Sequence, residues 1–168
     1  QIIELQVASG ELEVGVTLLP VDPALGLATR TVGRHPIVAV GPADALWARQ
    51  AQVDLSHLDG EALVLLHDDF ALTRQLRDAF RRFGVEPRIV AQSGQWDFLV
   101  ALAAAGLGTA LLPQPLLARM ALHPELAVRP LADPALAWTV AHIWPPGRYL
   151  SHAARAWLEG TARTALSI

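Results

Sequence analysis

Adjacent histidine and acidic side chains are the first candidates for chemistry in this chain. His67, Asp68 and Asp69 are consecutive and could in principle ligate a metal ion. The six histidines show no H-x-x-x-H or other paired spacing, and the chain has no cysteine. Because a zinc site needs three or four such ligands, these residues are better interpreted as solvated loop residues before a helix. The sequence predicts no bound metal.

Serine and glycine motifs predict no catalytic or nucleotide-binding site either. The serine–glycine pairs at 9–10 and 93–94 lack the flanking residues of a nucleophile elbow. The G-L-G triplet at 106–108 follows a helical pattern, whereas a dinucleotide-binding loop follows a strand. Every basic residue is arginine, and without lysine there is no Schiff base and no Walker-type phosphate loop. We expect no enzyme activity and no cofactor.

The composition is that of a globular domain. Of the 168 residues, 52% are hydrophobic and 17% are charged, which supports a sizeable core and excludes a disordered chain. The net charge of −3 argues against a large phosphate-binding surface. No apolar run is long enough to span a bilayer, and no basic signal sequence opens the chain. The default expectation is a cytoplasmic location and no membrane contact.

Strand and helix patterns alternate along the chain. The elements that they predict must position any functional residue. Short apolar runs predict strands at 13–19, 28–32, 37–40, 62–66, 87–91, 109–112, 126–131 and 138–143. Helical spacing predicts helices up to residue 9, over 55–58, 72–83, 115–121 and 152–165, and after an N-cap at Ser93. Such alternation predicts an α/β fold.

Glycine and proline divide the predicted fold into two lobes. Gly41 and Pro42 end one strand pattern, and a P-P-G triplet at 145–147 ends the last one. We place the two crossings between lobes at these breaks. The first lobe then comprises residues 1–40 and 145–168, and the second comprises 41–144.

Two helical patterns carry predictions about burial. In the helix over 72–83, the inward positions are Leu76, Phe80 and Phe83, with four arginines facing outward. In the alanine-rich helix after Ser93, the apolar residues at 98, 99, 102 and 107 predict a mostly buried segment.

Polar and aromatic residues at strand ends are the candidates for ligand binding. In open α/β sheets, ligands bind outside the carboxyl ends of the strands, where helix N-termini attract anions. We expect one cleft between the lobes to bind a small organic anion. Its predicted contacts are Thr17, Leu18, Pro20, His67, Asp68, Thr73, Ser93, Gln95 and Trp96, with His142 and Trp144 as its floor. Each has a simpler alternative, since Thr17 could satisfy local backbone and both tryptophans could be core residues.

Several motifs in order resemble one family of bacterial proteins. They are ASGELEVGV at 8–16, HPIVAV at 35–40, DLSHL at 54–58, AAGLGTALLP at 104–113 and LSHAARAWL at 150–158. Together they resemble the effector-binding domain of LysR-type transcriptional regulators over essentially the whole chain. One departure is Glu13, which stands where the family usually has aspartate.

The resemblance implies two Rossmann-like lobes of the type 2 periplasmic-binding-protein kind, with a small inducer bound between them. It implies that the effect of inducer binding is passed to a winged helix-turn-helix domain, through which the regulator binds DNA. This sequence does not contain that domain. The family's first strand, first helix and second strand also have no counterpart here. We therefore expect the first lobe to be incomplete at its N-terminus.

The resemblance also implies self-association as a homodimer or tetramer. Effector domains of the family pair antiparallel, so the first lobe of one subunit meets the second lobe of the other. Here Glu4 and Glu11 on the first helix could complement Arg77 and Arg81 on the helix over 72–83. The alternative is that both helices are solvated.

A periplasmic solute-binding protein is the second hypothesis, because it shares the two-lobe architecture. An upstream helix-turn-helix would favour the regulator, and an upstream secretory signal would favour the solute-binding protein. The sequence leaves the identity of the effector open, and it also leaves open whether a regulator would activate or repress.

Overall fold

A computed structural model describes residues 2–118 and 120–164 of the chain, with side chains described as far as residue 160. Its helices are α1 (Ile2–Ser9), α2 (Ala71–Phe83), α3 (Trp96–Ala104), α4 (Gln114–Leu117) and α5 (His152–Thr164). Its strands are β1 (Gly15–Leu18), β2 (Ala28–Pro42), β3 (Ala62–Leu66), β4 (Arg88–Ser93), β5 (Thr109–Pro113), β6 (Leu126–Pro130) and β7 (Ala137–Trp144). Short 3-10 turns cover Pro23–Leu25, Leu46–Arg49 and Leu55–Leu58.

Two compact units divide the chain. Unit 1 contains residues 1–34 and 138–168, and unit 2 contains residues 35–137. The chain passes between them once within β2 and once at the start of β7. The predicted boundaries, after residues 40 and 144, lie several residues further along the chain.

Unit 1 combines the antiparallel pair β1–β7 with helices α1 and α5. Gly15 is paired with Ile143 and Leu18 with Val140. A side chain at Gly15 would collide with Ile3 and Val7, so α1 packs directly on β1 at this glycine. Ser151, the predicted cap of the last helix, accepts a hydrogen bond from the Ala154 N–H.

Glu13 connects the start of α5 to the segment before β1. Its carboxylate accepts hydrogen bonds from the Ser151 N–H at 2.9 Å and from the Ser151 hydroxyl at 2.6 Å. These bonds lower the pKa of Glu13 below its usual value. Glu13 therefore stabilises the beginning of the last helix.

Unit 2 is built around β3, whose residues Leu63, Val64 and Leu65 have no exposed surface. β3 pairs in parallel with β4 and with β5. β5 continues antiparallel to β2, which also pairs antiparallel with β6. Helices α2 and α3 are the crossovers of two consecutive β-α-β connections. Because β3 and β4 are parallel, their carboxyl ends lie at one edge of the sheet.

The structure confirms most predicted elements and corrects two of them. The helix predicted over 115–121 is shorter, since α4 ends at Leu117. The strand at 62–66 and the one-turn helix at 55–58 have the predicted bounds. The prediction of two strands around residues 33–36 was wrong, since β2 is continuous from Ala28 to Pro42. Proline is compatible with extended backbone and loses only its N–H donor, so Pro36 does not end the strand. Gly41 and Pro42 also remain in the ladder, opposite β6.

Some predicted burial was wrong. Phe83 is 55% exposed, Phe98 is 49% exposed and Leu107 is 48% exposed. In α3 the buried positions are Leu99, Val100 and Ala103, which follow helical spacing. Phe98 lies outside that narrow face because the helix packs on the sheet along a single stripe.

Among the glycines of unit 2, Gly108 lies nearest to the backbone of another segment. A β-carbon at this position would lie 2.6 Å from the carbonyl oxygen of Ala62 and 2.9 Å from its carbonyl carbon. Both atoms belong to backbone next to the central strand, so they cannot move aside as a flexible side chain would. The Gly108 position therefore requires glycine where the chain enters β5.

We expect Gly108→Ala to lower the free energy of unfolding by about 1–3 kcal/mol, because overpacking forces backbone to shift. The measurement is urea denaturation followed by circular dichroism. Gly94→Ala is the matched control, since a β-carbon there lies no closer than 3.9 Å to any atom, at His67. Equal stability of the two variants would show that β3 and β5 are further apart than described.

His142 is the buried histidine of unit 1, and the pH dependence of stability can test its burial. It is 3% exposed, and its ring centroid lies 4.4 Å from that of Trp157 on α5. Burial lowers the pKa of His142 below 6.5, and the nearby charge of Arg30 lowers it further. The unfolded chain therefore binds this proton at a higher pH than the folded chain does.

Stability should consequently fall as the pH drops from the ordinary histidine pKa through the lower folded value. We expect His142→Asn to flatten this part of the profile, measured by urea denaturation between about pH 7.5 and 5. His152→Asn, which replaces an exposed histidine on α5, is the control. A wild-type slope in the His142 variant would contradict this assignment.

Candidate functional site

Two loops of unit 2 lie at the edge where β3 and β4 end. The first loop, residues 67–70, joins β3 to α2, and the second, Gly94 and Gln95, joins β4 to α3. Gln92 at the end of β4 donates hydrogen bonds to the Leu66 carbonyl and to Asp68, at 3.1 and 2.9 Å. The structure therefore brings together the predicted site residues of these two loops, and we call this region the unit 2 edge.

Ser93 and Gln95 lie at this edge with surfaces available to a ligand. Ser93 is half-buried at the last position of β4, and Gln95 is exposed. The prediction that Ser93 caps the following helix was wrong, because α3 begins at Trp96 and Gln95 occupies the N-cap position. Ser93 instead accepts a hydrogen bond from the Gln95 N–H at 3.1 Å, which shapes the turn between strand and helix. Trp96, the first residue of α3, is half-buried.

His67 and Asp68 are exposed in the first loop, whereas Thr73 is not. Thr73 is 1% exposed, and its hydroxyl donates to the Leu66 carbonyl at 3.0 Å. Its polar group therefore holds the start of α2 against the end of β3. The Asp68 carboxylate accepts hydrogen bonds from Gln92 and Arg77, which lower its pKa below the usual value.

In unit 1, the predicted contacts do not all share one face of the sheet. Val16 is paired with His142 and Thr17 with Ala141. Because side chains alternate along a strand, Leu18 and Trp144 lie on the His142 face and Thr17 lies on the other. Sequence alone could not show this, since it depends on the register between β1 and β7.

The Thr17 face packs on α1. The Thr17 hydroxyl donates to Glu4 at 2.7 Å, and Glu4 is only 7% exposed. Pro20 is exposed beyond the end of β1. The position of Thr17 thus fits the alternative interpretation, in which it satisfies a neighbouring group of its own unit.

The opposite face packs on α5 around a half-buried arginine, Arg30. Arg30 on β2 donates to the Leu158 carbonyl, and its guanidinium lies 5.9 Å from the ring centroid of Trp144. The Arg30 Nε is buried and has no hydrogen-bond partner. With His142 packed against Trp157, these groups lie between the sheet of unit 1 and α5. His142 is buried there, Arg30 and Trp144 are half-buried, and Trp157 is 39% exposed. Sequence reasoning missed Arg30, which no motif distinguishes from the other arginines.

Four residues were predicted to form a dimer interface, and the structure places them in different surroundings. Glu4 was predicted to be an exposed acid, and that was wrong, because α1 turns Glu4 and Val7 inward and leaves Ile2 and Leu5 exposed. Glu11 is exposed and accepts a hydrogen bond from Gln6. Arg77 is paired with Asp68, and Arg81 with Asp78 one helical turn away.

Residues 2–118 and 120–164 contain no group of three or more histidine and acidic side chains that could hold a metal ion. None of the helices in the same ranges has the length and apolar character needed to cross a membrane.

The family model described as LysR substrate binding domain matches residues 3–165. The HTH-type regulator YwbI of Bacillus subtilis is 35% identical over 156 residues, which are 92% of this chain and 51% of that protein. The dual regulator GltC of Bacillus subtilis is 29% identical over 124 residues, covering 73% of this chain and 41% of that protein. The chain thus spans about half the length of these relatives.

Solved structures agree on the fold. The regulatory domain of Synechocystis PCC6803 CcmR superposes with a TM-score of 0.84 at 17% identity, over 98% of this chain and 78% of that one. The effector-binding domain of QuiR superposes with a TM-score of 0.79 at 15% identity, over 99% and 78%. The predicted α/β fold, like that of type 2 periplasmic binding proteins, is confirmed. The relatives are transcriptional regulators rather than enzymes, and they give the solute-binding alternative no support. The chain belongs to the LysR substrate-binding domain family.

Proposed function

We propose that this chain is the effector-sensing domain of a LysR-type transcriptional regulator. It binds a small organic anion and passes the change to a DNA-binding domain located elsewhere in the full-length protein. The proposal is supported by membership in the family and by relatives named as transcriptional regulators. A regulator with this role is expected in the cytoplasm, where its DNA is.

The unit 2 edge is the observation that carries the proposal. Two β-α-β connections bring the exposed loop at 67–70 and the exposed turn at 94–95 to the same ends of parallel strands. Open α/β sheets bind ligands at such ends. Ser93 and Gln95 present neutral donors and acceptors there, beside the first turn of α3. Such groups recognise carboxylate or hydroxyl groups of a small molecule.

The ligands of two similar structures support a small acid as the class of effector to test. The CcmR domain was solved with 2-PG and the QuiR domain with shikimate. At 15–17% identity these structures share the fold alone, so they indicate a class of ligand to test and no particular compound.

The test of ligand binding is thermal denaturation of the domain in the presence of small acids, beginning with shikimate and 2-PG. A ligand at about 100 times its dissociation constant should stabilise the folded state by ~2.7 kcal/mol. Ser93→Ala and Gln95→Ala should each weaken binding severalfold. The ligand-free melting temperature should stay unchanged in Gln95→Ala and fall only slightly in Ser93→Ala, which loses the hydrogen bond from the Gln95 N–H. Gln52→Ala, an exposed glutamine before the Leu55–Leu58 turn, is the matched control.

Two outcomes would contradict this assignment. Stabilisation by neutral or cationic solutes alone would exclude an anionic effector. Binding that is equally strong in wild type and in the Ser93 and Gln95 variants would place the ligand away from the unit 2 edge.

The domain by itself should not bind its operator specifically. Its net charge is −3, and four of its arginines lie on α2, where Arg77 and Arg81 are already paired with acids. Specific DNA binding needs a row of basic contacts to phosphates. We expect no sequence-specific complex in a gel-shift assay at physiological salt, with the full-length regulator as positive control. A specific complex formed by residues 1–168 would overturn this division of roles.

A further inference from the structure

Arg77 has a partner inside its own unit that the sequence did not predict. Its Nε donates to Asp68 Oδ1 at 2.9 Å and its Nη2 donates to Oδ2 at 3.2 Å. The two parallel bonds form a bidentate arginine–carboxylate pair, which fixes geometry as well as charge. The pair joins the middle of α2 to the first loop of the unit 2 edge.

Gln92 completes the connection from the neighbouring strand. Its side-chain amide donates both to Asp68 Oδ1 and to the Leu66 carbonyl, at 2.9 and 3.1 Å. Asp68 is thereby held from α2 on one side and from β4 on the other. We call Asp68, Arg77 and Gln92 the Asp68 frame.

Two further hydrogen bonds are made to carbonyl groups of the same loop. The Phe70 N–H donates to the His67 carbonyl at 3.0 Å, and the Arg74 guanidinium donates to the Asp69 carbonyl at 2.6 Å. The Asp68 frame is the part of this arrangement that spans separate elements. Its loss should free the loop while leaving the helix and the strands in place.

Arg81 on the same helix provides a comparison. Its side chain is 78% exposed, against 39% for Arg77, and its acidic partner is Asp78 on α2 itself. Neutralising Arg81 therefore breaks only a contact within one helix, which contributes little to stability. The two arginines have the same chemistry, but only Arg77 bonds to a loop at the unit 2 edge.

We propose that Arg77 and Gln92 are positioning residues of the effector site, which act through Asp68 to fix the loop at 67–70 and to compensate its charge. This inference rests on the proposed function of the unit 2 edge. Asp68 and Asp69 are adjacent carboxylates, and without Arg77 their combined charge would repel an organic anion. With the pair formed, the loop offers an ordered backbone beside Ser93 and Gln95.

The first experiment needs no ligand. Amide hydrogen exchange is compared in wild type, Arg77→Gln, Gln92→Leu and the control Arg81→Gln, in protein that retains the wild-type circular dichroism spectrum. We expect exchange at residues 67–70 to be roughly tenfold faster in the two frame variants, with the buried strand β3 unchanged. Unchanged exchange in the loop, or the same increase in Arg81→Gln, would overturn the frame.

Carboxyl titration by nuclear magnetic resonance separates positioning from general stability. The hydrogen bonds from Gln92 and Arg77 hold the Asp68 pKa below its usual value, so the pKa should rise in both frame variants and stay low in Arg81→Gln. A merely structural loss would not move this one carboxyl selectively. An unshifted Asp68 pKa in Arg77→Gln would contradict the pair.

The second experiment measures affinity for shikimate and 2-PG by calorimetry. We expect Arg77→Gln to weaken binding at least tenfold, Arg81→Gln to leave it unchanged, and Arg77→Lys to restore part of it, because lysine keeps the charge and loses the bidentate fork. A freed loop with wild-type affinity would overturn the positioning role. If wild type binds neither compound nor any other small acid, the proposed function fails, and the exchange data still decide whether the frame exists.

Discussion

The fold of unit 2 depends on the complete burial of β3. Leu63, Val64 and Leu65 are fully buried, with parallel strands paired along both edges of β3. A strand buried on both faces needs helical crossovers above and below its sheet, which α2 and α3 supply. It also needs close backbone approach, which explains the glycine at position 108 beside Ala62. The carboxyl ends of β3 and β4, and with them the unit 2 edge, follow from this arrangement.

Polar side chains fix the end of β3 and the loop that follows it. Thr73 and Gln92 both donate to the Leu66 carbonyl, at the point where β3 ends. That carbonyl would otherwise lose its ladder partner as the strand turns into the loop, and an unsatisfied buried acceptor is costly. Satisfying it from α2 and from β4 joins the start of the first crossover helix to the end of the neighbouring strand. The Asp68–Arg77 pair extends the same connection into solvent, where it orders the loop.

Unit 1 uses the two faces of its sheet differently. On one face Thr17 and Glu4 form a partly buried hydrogen bond beneath α1. On the other, Arg30 reaches the carbonyl of Leu158 and His142 packs on Trp157. Burial of His142 beside Trp157 favours its neutral form, because desolvation and the nearby Arg30 charge both act against the protonated ring. The lowered pKa of His142 is a property that the sequence did not indicate.

The sequence by itself determined the α/β class, the family and most of the element order. Helical and strand periodicities, with glycine and proline between them, are local properties, and they placed β3, α2 and β5 within one or two residues. Local patterns did not determine which side of an element is buried or which residues become partners. The tertiary structure alone decided that Glu4 turns inward, that Thr17 and His142 lie on opposite faces, and that Arg77 binds Asp68. Each of these depends on strand register or on contact between residues distant in sequence, and no spacing within a single element encodes such contacts.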